Sequence, residues 1–124
     1  MSAAGDRHFE QARWNRDFAE QTLRDFGGSQ CHVQWVVTSA FYCAVHCMQG
    51  YLVNRGLDPK SHAAREDLMA DPINGVPQQV FRAYMFLSQT SKRARYRCGV
   101  FAPAWVQSSI IDGRLRTIAS FVNL

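Results

Sequence analysis

Residues 31–55 read CHVQWVVTSAFYCAVHCMQGYLVNR, and this stretch decides the fold. Val33, Val36, Val37, Ala40, Phe41, Ala44, Val45 and Met48 recur at helical spacing. They leave little of the circumference polar, which marks a helix surrounded by others. Gly56 follows where a left-handed C-terminal cap is wanted.

Working outward, a second amphipathic pattern runs from about Asp6 to Asp25. Phe18, Thr22 and Phe26 form one stripe, with Phe9, Ala12, Ala19 and Leu23 beside it, and charges fill the opposite face. Gly27, Gly28 and Ser29 end it. Downstream, Asp58-Pro59 and Ser61 are alternative starts for a short helix through Met69. Asp71-Pro72 and Asn74-Gly75 mark a loop. A fourth helix is expected from Pro77 to about Arg95, with Val80, Ala83, Tyr84 and Leu87 inward. Cys98-Gly99 breaks it, and a last helix opens near Pro103 with Ile111, Leu115, Ile118, Ala119 and Val122 on its inner face. No period-two alternation suggests a sheet. The expected fold is all-α, an antiparallel four- to five-helix bundle in a single domain over 1–124.

The apolar fraction of 47% is enough for one core, and the net charge of +4 permits an RNA, nucleotide or phosphoprotein partner without demanding one. No run approaches the roughly 18 consecutive apolar residues of a membrane span. The N-terminus lacks the basic start and apolar core of a signal peptide. These readings point to a cytoplasmic protein, no membrane, and four reduced, mostly buried thiols at Cys31, Cys43, Cys47 and Cys98.

Trp35 to Met69 reads WVVTSAFYCAVHCMQGYLVNRGLDPKSHAAREDLM. The aromatic pair Phe41-Tyr42, the downstream His46, the turn at Gly56 and Ser61-His62 opening the next helix follow in order. The later stretch Ser91-Lys92-Arg93-Ala94-Arg95-Tyr96 ends a subsequent helix. This arrangement resembles the HEPN family, over roughly half the chain. The resemblance implies a helical, often dimeric module paired with nucleotidyltransferases or acting in toxin–antitoxin, stress or phage-defence systems. It implies a homodimer, RNA or nucleotide as ligand, and a protein partner encoded nearby. Some members of that family are ribonucleases, and others are binding or protein-interaction subunits without catalysis.

Catalytic members use an Arg and a downstream His with four to six residues between them. Arg55 and His62, with six residues between them, are the one pair at that spacing. The chemistry is sound, because histidine titrates near neutrality and arginine is a permanent phosphate ligand. In the ribonucleases the motif usually opens a late helix; here it straddles the loop after the central one. The alternative is that Arg55 meets helix-end carbonyls and His62 caps or packs. Lys92, Arg93, Arg95 and Arg97, with Tyr96 among them, are candidates for phosphate binding and base stacking. Their competing reading is a solvated helix end, or pairing with Asp17, Glu20 or Asp25 on the first helix.

Cys43, His46 and Cys47 share one helix face and are of zinc-ligand type. In so apolar a helix they read better as buried thiols and a core histidine bonded to a polar group on the first or fourth helix, so no metal and no cofactor is expected. Neither a Gly-x-Ser-x-Gly elbow nor a glycine-rich phosphate loop is present. Trp14, Trp35 and Trp105 read as core or interface anchors.

Overall fold

The computed structural model describes residues 2–124. Five helices form it: α1 (Ala3–Phe26), α2 (Gln30–Asn54), α3 (His62–Ala70), α4 (Gln78–Tyr96) and α5 (103–121), and no strand occurs among the described residues. A 3-10 turn, Pro72–Asn74, bridges α3 and α4.

Local chemistry sets the boundaries. The hydroxyl of Ser2 accepts from the Gly5 amide, that of Ser29 from His32 and that of Ser61 from Ala64, so a serine caps each of the first three helices. Of the two alternative starts for α3, Ser61 is the one used. Asp58 instead accepts from the Gln49 side chain at 3.1 Å. Gly56 ends α2 at φ 83°, with the Leu57 amide closing back on the Leu52 carbonyl at 3.0 Å. Cys98 takes the same left-handed role after α4 at φ 52°.

Cross-helix pairs fix the topology. Ser2 bonds Asn54 and His8 meets His46, so α1 and α2 run antiparallel. Gln34 reaches the Gly99 carbonyl at 2.9 Å while Phe41 packs edge-on to Tyr84, so α4 runs antiparallel to α2. Arg16 of α1 donates to the terminal Leu124 carbonyl, and α5 closes the bundle between α4 and α1. The result is an up-down-up-down bundle, with α3 filling the crossover between α2 and α4. Met48, Leu52, Leu87, Ile110, Leu115 and Ile118 are fully buried in its core. Each such side chain contributes about 1.5–3 kcal/mol on leaving water.

The length and apolarity of α2 are sufficient to cross a membrane, and 72% of its most apolar window is buried by the neighbouring helices. That burial accounts for its composition.

Three expectations are revised. The middle of α5, Val106–Leu115, is π-helical. The wider turn brings Val106, Ile110, Ile111, Leu115 and Ala119 all to the core, a spacing longer than an α-helix gives. Phe18 and Phe26 are about half exposed, as are Trp14 and Trp35; among the tryptophans only Trp105 packs against the core. Cys43 and Cys47 are buried, but Cys31 and Cys98 are exposed free thiols.

Candidate phosphate-binding site

One stripe of α2 departs from its apolar character. Trp35, Thr38, Tyr42 and Gln49 fall on it at intervals of three, four and seven residues. Opposite them, Tyr84, Ser88, Ser91 and Arg95 form a matching stripe on α4. The first turn of α3 closes one end of this seam.

Arg65 lies at its deep end, only 8% exposed. Its Nε donates to Gln49 Oε1 at 2.9 Å, and its Nη1 donates to His62 Nδ1 at 3.0 Å and to the Tyr84 hydroxyl at 3.4 Å. All three acceptors are neutral. Among the described residues no carboxylate lies within 4.0 Å of this guanidinium, and its Nη2 has no protein acceptor. The nearest acid in the network is one step removed: Gln49 Nε2 donates to Asp58 and to the Pro59 carbonyl, each at 3.1 Å. Gln49 thus holds Arg65 in place without neutralising it.

His62 opens α3, three residues before Arg65, so both project from one helix face. A guanidinium can only donate, which makes Nδ1 the bare acceptor and puts the proton of the neutral ring on Nε2. Burial lowers the His62 pKa. The Arg65 charge lowers it further, Glu66 opposes, and Arg95 and Lys92 add to the fall. The ring is therefore held neutral with an Nε2–H to offer, flanked by three cations.

Arg95 extends the site toward the end of α4. Its Nη2 bonds the Ser91 hydroxyl at 2.9 Å and its Nη1 reaches the Tyr42 hydroxyl at 3.3 Å. The guanidinium carbon sits 5.7 Å from the Tyr42 ring centre and 4.9 Å from that of Tyr96. Tyr42 in turn stands 6.5 Å from the His62 ring.

The other residues singled out in the sequence are distributed as follows. Lys92 is exposed beside His62 and acts on its charge. Arg93 turns the other way and lies 5.2 Å over Phe101. Tyr96 and Arg97 are exposed at the α4 terminus. Asp25 pairs loosely with its neighbour Arg24 rather than with this run. Arg55 donates to the Ile73 carbonyl at 3.1 Å and stacks over Tyr51 at 5.6 Å, so it is engaged with the α3–α4 loop while His62 is engaged with Arg65. His46 bonds a polar partner on the first helix, His8, as its place in an apolar helix suggested. No group of three or more metal-ligand side chains forms among the described residues.

Comparison with known proteins matches no family model, no curated protein and no solved structure. The likeness to HEPN domains therefore rests on its residues alone.

A larger concavity, about 710 Å³, lies on the other flank of α4 against the π-helical part of α5. Two of its three arginines are already engaged: Arg114 lies 4.1 Å over Phe86 and Arg116 pairs with Asp112 at 3.3 Å. It holds no histidine, so the smaller seam carries more chemistry. Sequence reasoning identified His62, Arg95 and Lys92 but missed Arg65 and Gln49. The signal that could have found them was a glutamine in the most apolar helix and an arginine one turn after the histidine.

Proposed function

We propose that this protein is a HEPN-type, RNA- or nucleotide-associated module that binds phosphate through Arg65, His62, Arg95 and Lys92. The observation that carries the reading is the buried, unneutralised Arg65. Its Nε and Nη1 are held by neutral partners while Nη2 stays open to solvent, which leaves a fixed, charged donor that an arriving anion can take. Arg65 can donate from Nη2 to a phosphate oxygen, the Nε2–H of His62 is a second donor, and Arg95 and Lys92 add charge at the rim.

Binding is better supported than cleavage. A general base needs a bare ring nitrogen facing the substrate hydroxyl. In His62 the bare nitrogen faces Arg65, and the outward one carries the proton. Catalysis by Arg55 and His62 would also require Arg55 to leave Tyr51 and the Ile73 carbonyl.

The test is fluorescence anisotropy with a short single-stranded RNA across a salt series. Affinity should fall as salt rises. Lys92→Ala/Arg95→Ala should weaken binding and reduce the slope of log K against log salt by about 0.7 for each phosphate no longer neutralised. Absence of binding at low salt, or a double variant that binds like the parent, refutes the proposal. RNA cut in chelator by the parent and not by His62→Ala would establish the ribonuclease reading instead.

A further inference from the structure

Beyond the phosphate site, the seam opens into a cleft of about 370 Å³ lined by Gln34, Trp35, Thr38, Ala94, Arg95 and Tyr96. Two of its walls are aromatic and strongly exposed, Trp35 at 57% and Tyr96 at 73%. Large aromatics left in water on a basic surface need a reason, because burying either elsewhere in the bundle would stabilise it. The volume is at the small end for a ligand pocket.

We infer that this cleft is a nucleobase-stacking subsite, taking one base of a single-stranded RNA or a nucleotide whose phosphate lies on the His62–Arg65 site. The inference rests on the phosphate-binding reading and adds the part of the ligand that reading leaves unspecified. Three observations favour a base over other flat or apolar groups. Arg95 belongs to both places: its guanidinium touches the Tyr42 ring on the phosphate side and the Tyr96 ring on the cleft side. A ligand reaching across it must therefore be anionic at one end and planar at the other. The rim is cationic, with Lys92 and Arg97 exposed beside Tyr96, which suits a polyanion and opposes a basic partner. The cleft also carries hydrogen-bonding groups. Gln34 spends its amide nitrogen on the Gly99 carbonyl, and Thr38 spends its hydroxyl proton on the Gln34 carbonyl, so both keep an oxygen free to accept. Every nucleobase has an N–H edge that such oxygens take. Stacking against tryptophan and tyrosine is indifferent to sequence, because each base has a π face. The expected ligand is thus single-stranded and loosely specified, since a paired base presents no free face.

The experiment compares an eight-nucleotide single-stranded RNA with an abasic ribose-phosphate oligomer of equal length, titrated against the full chain. The parent should bind the base-bearing RNA about five- to hundredfold more tightly than the abasic one, the range expected for stacking a base on an aromatic side chain. Trp35→Ala, a surface change whose fold is checked by circular dichroism, should remove that preference and leave abasic binding unchanged. Lys92→Ala should weaken both ligands alike. Equal binding of the two oligomers, or a Trp35→Ala protein that keeps the preference, overturns the subsite and leaves the phosphate site standing. Failure of both oligomers to bind overturns the two readings together. Light scattering that shows a dimer dissociated by Trp35→Ala also overturns the subsite, assigning the cleft to a protein interface.

Discussion

His8 of α1 and His46 of α2 face each other Nδ1 to Nδ1 at 3.0 Å, with ring centres 5.2 Å apart. One nitrogen must donate and the other accept, so the hydrogen bond cannot survive protonation of both. Burial lowers both pKa values. For His8, Asp58 opposes the fall while Arg65 and Arg7 add to it; for His46, His8 and Arg65 add to it. In the unfolded chain both titrate near the ordinary value of about 6.5. Below that pH the unfolded state binds protons that the folded state refuses, so stability rises with pH through this window and is lost on acidification. A histidine that stayed wholly unprotonated in the folded state would set the upper limit, about 1.4 kcal/mol between pH 7.5 and 5.5. Two such rings give a ceiling of about 2.7 kcal/mol, and a pair that keeps one shared proton gives about half that. With a typical urea slope of roughly 1–3 kcal/mol per molar, the midpoint should fall between those pH values, by on the order of 1 M at that ceiling. The Asp58 pKa is lowered as well, first by the Lys60 hydrogen bond, and its contribution is lost as pH falls through the carboxylate range, below this window. The control is His8→Gln/His46→Gln, which can keep an amide hydrogen bond and cannot titrate. Its midpoint should be nearly level from pH 7.5 to 5.5, apart from a small slope from the more exposed His62. A parent protein with a level midpoint, or a double variant with the parent's slope, would show that the pair does not couple protonation to folding.

Close approach of α1 to α2 depends on Gly50, where an added Cβ would lie 2.9 Å from the Phe9 ring and 3.2 Å from the Gly5 carbonyl. The ring can shift but the carbonyl belongs to a packed helix, so Gly50→Val should destabilise by about 2–3 kcal/mol despite the better helix propensity, measured by urea unfolding. A stabilised variant would mean the helices separate freely. For His62, nitrogen-15 correlation spectra at neutral pH should show the proton on Nε2, and titration with inorganic phosphate should raise its pKa, since an anion offsets the charges of Arg65, Arg95 and Lys92. A proton on Nδ1 would contradict the assigned donor role.

Most of the fold was legible because its punctuation is chemical. Ser61, Gly56, Pro77 and Pro103 announce helix ends through capping hydroxyls, a permitted positive φ and a missing amide, all properties of single residues. The π-helical turn in α5 was not legible. Ile111, Leu115, Ile118 and Val122 fit an α-helix, and only the added demands of Val106 and Ile110 on the same core favour the wider turn. Exposure of Phe18 and Trp35 was equally hidden, because an amphipathic pattern says which face is apolar, not whether a partner covers it.

The site divides along the same line. Lys92, Arg95 and Tyr96 could be chosen from a charge run, which is local information. Arg65 could not, because what distinguishes it is that no carboxylate comes within 4.0 Å of it, and such a separation exists only in three dimensions. Its partners orient rather than neutralise it: Gln49 fixes Nε, and His62 and Tyr84 fix Nη1. An apolar residue of similar volume would fill the space at a smaller desolvation cost. A structural ion pair would have brought a carboxylate to Arg65, as Asp112 is brought to Arg116. A guanidinium held rigid and positive, with a neutral histidine donor beside it, is the arrangement on which the proposed phosphate site rests.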